Sequence, residues 1–161
     1  MTKVRYRMNR RIILSALALV VLATIAALGS PSATAAELSD YRWTHRPLLL
    51  FAPTDDDPRL VETLSRIDAS QCAFLERDMV LGIVLADGQS TLADQSISVD
   101  QAQRLSERYA IGGNAFAALL IGKDGGEKLR VDEVPNLSTI YAVIDGMPMR
   151  SGEMRADSNG C

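Results

Sequence analysis

Two short, unbroken apolar runs, Arg46–Ala52 (RPLLLFA) and Met79–Leu85 (MVLGIVL), constrain this chain more than any other feature of its 161 residues. Neither alternates polar with apolar positions, the pattern of strands buried on both faces. Between them Leu60, Leu64, Ile67, Phe74 and Leu75 recur at helical spacing and predict one helix over 58–76. Asp57 is a suitable N-cap, Pro58 sits at the favoured first helical position, and Arg77 near the end complements the helix dipole. A strand, a helix and a second strand in that order require a crossover, and crossovers return the chain parallel to itself.

Beyond these elements, Ser98-Val99-Asp100-Gln101 matches a capping box. Ala102, Leu105 and Tyr109 line one face of the helix that follows, with Gly112-Gly113 as its expected end. The runs 116–121 (FAALLI) and 128–131 (KLRV) flank a glycine-rich turn, Gly122 to Gly126, and read as a hairpin. A final helix is expected over 136–145, with Leu137, Ile140, Tyr141 and Ile144 inward and Gly146 and Pro148 as its stop. This order predicts an α/β fold of thioredoxin-like type, a mixed four-stranded sheet flanked by helices.

The first 36 residues read as a secretory signal peptide. Lys3, Arg5, Arg7, Arg10 and Arg11 precede an apolar run over 12–28, and Ala33 and Ala35 fit the small-residue rule for cleavage after Ala35 or Ala36. The apolar run is near the lower limit for a bilayer span, so an uncleaved anchor is the rival reading. Arg10-Arg11 before Ile12-Ile13-Leu14 leaves twin-arginine export as a minor option. The expected organisation is a leader over 1–36 and one domain over 37–161, in the periplasm or outside the cell, with no stable membrane insertion after cleavage. Five of the seventeen basic residues lie in the leader, so the mature chain keeps twelve against twenty acidic ones, a net charge of −8. That balance argues against nucleic acid or an anionic membrane surface as partner.

Cys72 and Cys161 are the only cysteines and His45 the only histidine. They allow one disulfide at most and no zinc site, so neither metal nor cofactor is expected. Thiol enzymes of this fold carry their attacking cysteine where the first strand meets the first helix, because exposed N–H groups and the positive helix end lower its pKa. Here that stretch is FAPTDDDPRL, with Thr54, Asp55, Asp56 and Asp57 in place of a thiol. The aspartates lack the alternate spacing and distant glutamate of a calcium loop. Gly122-Lys123 fails as a phosphate loop, with Ala117 where its first glycine belongs and Asp124 where Ser or Thr would hold magnesium. Cys72 falls at the flank of the first helix's apolar stripe and reads as a semi-buried structural cysteine; the alternative is a reactive thiol, with Arg77 its only nearby cation. Cys161 ends a polar tail, and nothing in the sequence decides whether it pairs with Cys72.

The closing stretch MPMRSGEMR sets adaptable methionines beside forked guanidinium donors in an otherwise acidic chain. It suits either a recognition edge for a carboxylate-bearing or peptide partner, or a tail that folds back, packs its methionines over the sheet and ties Arg150 to an acid. The binding candidates are Arg150, Met147 and Met149 there, with Arg77 and Lys123 elsewhere in the chain.

Four segments in order, LLLFAP, FLERDMVLGIVL, LLIGKDGGEKLR and IDGMPMRSGEM, resemble the DUF4174 family. This is a domain of unknown function found in exported bacterial proteins and in animal extracellular-matrix proteins with sushi repeats. The resemblance covers residues 41–155 and implies a fold similar to thioredoxins and peroxiredoxins, with no established activity, substrate or cofactor. The proline that precedes the third strand of thioredoxins would fall near Ala117 and is missing. The function expected is an exported, non-catalytic thioredoxin-like domain that binds a protein or cell-envelope partner. The alternative is a peroxiredoxin-like or thiol-dependent enzyme using Cys72.

Overall fold

All seven residues of β1 (Arg46–Ala52) are buried in the computed structural model, which describes residues 37–156. The expected leader and Cys161 lie outside the described residues. β1 is central because a strand apolar on both faces is stable only with neighbours on either side and helices above and below. β2 (Met79–Leu85) runs parallel to it, from Arg46 opposite Met79 to Ala52 opposite Leu85. β5 (Ala117–Ile121) lies antiparallel on its other side and pairs in turn with β6 (Glu127–Val131).

The sheet has six strands, not the four expected, in the order β4-β3-β2-β1-β5-β6. The additional pair is β3 (Thr91–Leu92) and β4 (Gln95–Ser96), joined through Ala93 and Asp94, both at positive φ (47° and 63°). Two successive residues in that region make the tight turn whose twist matches a hairpin, but glycine or asparagine usually announces it. Gly82 of β2 lets this hairpin approach: a Cβ there would stand 2.6 Å from Leu49 Cδ2 and 3.1 Å from Leu92 Cδ1.

The single helix expected over 58–76 is two, α1 (Pro58–Ala69) and α2 (Gln71–Leu75), broken at Ser70 (φ −122°, ψ 26°). The Ser70 hydroxyl bonds back to the Arg66 carbonyl (2.9 Å) and shares a hydrogen bond with the Tyr141 hydroxyl (2.8 Å). Serine offers the backbone such alternatives to the helical ladder. The break turns the apolar stripe, so Phe74 is buried while Leu75 and Cys72 are exposed, a correction to the inward Leu75 and the semi-buried Cys72 expected.

α3 (Val99–Tyr109) starts at Ser98, whose hydroxyl accepts from the Gln101 N–H (3.2 Å). It ends at Ala110, in the left-handed conformation, two residues before the glycines expected to stop it. α4 (Leu137–Asp145) is capped by Asn136, and Pro148 begins a further helix, α5 (Pro148–Ala156), instead of only closing the one before.

Side chains alternate across β1. Leu48, Leu50 and Ala52 pack with Leu60 and Ile67 of α1 and Ile140 and Ile144 of α4. Leu49 and Phe51 pack on the other face with Ala102, Leu105 and Tyr109 of α3. One edge of the sheet is the two-residue β4, and the other is β6, where Lys128 pairs with Asp124 (2.6 Å) and Arg130 with Glu127 (2.8 Å). No helix among the described residues is long and apolar enough to cross a membrane.

Candidate functional site

At the C-terminal end of β1 the chain turns through Pro53 and Thr54 into α1. Asp57 caps the helix, its Oδ1 accepting from the Arg59 N–H at 2.9 Å. The Arg59 side chain returns to the same carboxylate, Nε to Oδ1 at 2.9 Å and Nη2 to Oδ2 at 2.6 Å. That guanidinium lies over the Phe116 ring, 5.3 Å from its centroid. Phe116 is the buried residue just before β5, next to the place where thioredoxins carry their proline. Both halves of the region that would handle a thiol are therefore joined by one carboxylate, one guanidinium and one ring. The hydrogen bond from Arg59 outweighs burial and holds the Asp57 carboxyl below its ordinary pKa. A carboxylate here satisfies the helix end but has no capacity for sulfur exchange.

Replacing Asp57 by alanine is expected to cost about 1 kcal/mol, typical of a lost N-cap. Because the folded pKa is depressed, that contribution is present above the unfolded carboxyl value and disappears as pH falls through the folded one. Urea melts of both chains at neutral pH and near pH 3 check this: the difference between them should narrow in acid.

Cys72 is far from this junction. It sits on α2, beyond the other end of α1, a twelve-residue helix about 18 Å long. It is exposed and disulfide-bonded, so it presents no free thiol.

Beside the junction lies a cleft of about 990 Å³. Buried Leu85, Ile97 and Ala102 contribute apolar side chains to it, and exposed Asp87, Gln103 and Glu107 contribute polar ones. The loop after β2 ties it to the junction, with the Ala86 N–H donating to the Ala52 carbonyl (3.0 Å) and that of Asp87 to the Pro53 carbonyl (2.9 Å). The residues after α3, Ala110 to Gly113, also line it. Its lining includes two carboxylates and no lysine, arginine or histidine.

The binding candidates from the sequence lie elsewhere. Arg77, Lys123 and Arg150 are brought to one corner together with Arg46, at the start of β1. Arg46 donates to both Glu153 oxygens (3.0 and 2.9 Å) and to the Arg77 carbonyl (3.0 Å). Lys123 Nζ lies 2.7 Å from both Asp78 and Glu153. Arg77 holds Asp145 with two bonds (3.0 and 2.7 Å) and stacks 4.9 Å from the Tyr141 ring centroid. Arg150 donates to the Glu76 carbonyl (2.8 Å) and carboxylate (3.1 Å). Met147 packs partly buried against the core, whereas Met149 is exposed, so the two methionines occupy different surroundings.

Arg46 and Arg150 are each 1 % exposed, and the carboxylates around them are nearer solvent. Burial opposes ionisation of Glu153, but the bonds from Arg46 and Lys123 more than offset it and lower its pKa. Sequence reasoning missed Arg46 and Glu153. Their separation of 107 residues leaves no local signal. Arg59 was legible in principle, as a guanidinium two residues after a capping aspartate. Among the described residues no group of three histidine, cysteine or acidic side chains is arranged to hold a metal ion.

Comparison with known structures supports the fold. The chain is similar to the reduced 2-Cys peroxiredoxin of Plasmodium vivax (17 % identity, TM-score 0.56, 74 % of this chain and 73 % of that one). It is also similar to the Prx1a peroxiredoxin of Plasmodium yoelii (18 % identity, TM-score 0.53, 76 % of this chain and 83 % of that one). By sequence it is 26 % identical over 133 residues to coiled-coil domain-containing protein 80 of Danio rerio, a match over 73 % of this chain. The match spans only 15 % of that relative's length. The profile of the domain of unknown function DUF4174 matches residues 37–153. With that match over most of its length, and a thioredoxin-like fold to go with it, the chain belongs to the DUF4174 family.

Proposed function

We propose that this is an exported, non-catalytic thioredoxin-like domain that binds a protein or cell-envelope partner through the cleft beside its first strand–helix junction. One observation carries the reading: the place for a nucleophile is filled by the Asp57–Arg59–Phe116 arrangement, while a large cleft opens next to it. Apolar side chains beside two carboxylates, with no cation, favour a segment whose basic side chain lays its stem on Leu85 and Ile97 and its charge near Asp87 or Glu107. The disulfide at Cys72 supports export, since such bonds persist in oxidising compartments.

Capture from the cell envelope with the mature domain as bait should retain a partner saturably. The exposed double charge reversal Asp87→Lys with Glu107→Lys should abolish retention without changing the melting temperature. Equal retention by the variant would remove the cleft from the proposal. The enzyme reading built on Cys72 is tested separately by peroxide consumption with a thiol reductant, which also opens the disulfide and frees the sulfur. No sustained turnover is expected; turnover that vanishes on Cys72→Ala, with the fold intact, would establish the enzyme instead.

A further inference from the structure

Two buried cations converge on the Glu153 carboxylate at the corner opposite the junction, with Asp78 as a second acidic neighbour of both. Arg46 grips Glu153 with two parallel bonds (3.0 and 2.9 Å), and Lys123 adds a third (2.7 Å). A guanidinium fork with a supporting ammonium is the geometry by which proteins recognise carboxylates from other molecules. The body of the domain supplies both cations, from β1 and from the turn between β5 and β6. The carboxylate alone arrives on α5.

The attachment of α5 is unusual in kind. None of its apolar side chains over 148–155 is fully buried, and Met149 and Met154 are about half exposed. What holds it is charge: Glu153 on Arg46 and Lys123, and Arg150 on Glu76 and, at 3.5 Å, on Asp145. The receptor is also not saturated, because the buried Nε of Arg46 has no hydrogen-bond partner. Were Glu153 to leave with nothing in its place, Arg46 would keep, among the described residues, only Asp78, at 3.8 Å, as an acidic neighbour. Such a loss is costly for a buried guanidinium. Exchange of one carboxylate for another avoids it, and undocking α5 forfeits little apolar burial.

We propose that Arg46 and Lys123 form a carboxylate-binding site that Glu153 occupies in cis, and that an acidic segment of a partner protein binds there by displacing α5. The site is separate from the cleft and does not depend on it.

Hydrogen exchange on the wild-type chain tests this directly, with acetylated hexaglutamate as probe and hexaglutamine as control at matched ionic strength. Amides over 148–156 should lose protection saturably with hexaglutamate, those of the central sheet should not, and hexaglutamine should do nothing. A Glu153→Gln chain, lacking the internal competitor, should bind hexaglutamate at least tenfold more tightly. Should that variant not fold, the exchange experiment decides alone. Protection over 148–156 that is indifferent to hexaglutamate, or that falls equally with hexaglutamine, would overturn the proposal. So would a folded Glu153→Gln chain that binds no better than wild type.

Discussion

Replacing Arg46 by alanine is expected to destabilise the domain by about 3 kcal/mol, the scale on which breaking one side of a buried ion pair operates. Its side chain is almost wholly removed from solvent. The change strips Glu153 of its bidentate partner, leaves the Arg77 carbonyl short of a donor, and opens a void the size of a guanidinium at the start of the central strand. Urea denaturation at neutral pH measures it, and a double-mutant cycle with Glu153→Gln separates the pair from the void. The sign with pH follows from the depressed pKa of Glu153. Its favourable contribution exists above the unfolded carboxyl value and is lost as pH falls through the folded one, so the Arg46→Ala penalty should shrink in acid.

Phe51→Ala should be comparably severe, about 3–5 kcal/mol, for a different reason. Phe51 is 1 % exposed in the layer between the sheet and α3, and its ring meets the Tyr109 ring edge-on at 6.1 Å. Removing it loses apolar burial and leaves a cavity that the fully buried neighbours Leu49 and Leu119 cannot collapse to fill. Tyr109 is the last residue of α3, and the segment after it forms one side of the cleft. The variant should therefore show, besides a lowered denaturation midpoint, faster amide exchange over 106–113 than over β1.

The parts legible in the sequence were those with a local cause. β1 and β2 were visible at their full extents because apolar runs of six and seven residues demand burial on both sides, and Asp57 and Ser98 were visible because capping is decided within three residues. The break at Ser70 was not, since it depends on a hydroxyl 71 positions away on Tyr141. The β3–β4 hairpin escaped because it uses Ala93 and Asp94 where a turn of that kind normally advertises itself with glycine or asparagine. For the charged corner the sequence supplied Arg77, Lys123 and Arg150 as separate candidates; that they share one cluster is a property of the fold, set by where β1, β5 and α5 meet.

The two open margins of the sheet also bear on how this chain behaves when crowded. An unpaired strand invites a second molecule to continue the ladder, the first step toward fibrous aggregates. Here one margin is too short to template anything, two residues in β4, and the other carries lysine, arginine and glutamate along β6. Growth by strand addition is thus discouraged at both ends of the sheet, and the native domain offers a neighbouring copy no ready ladder to extend.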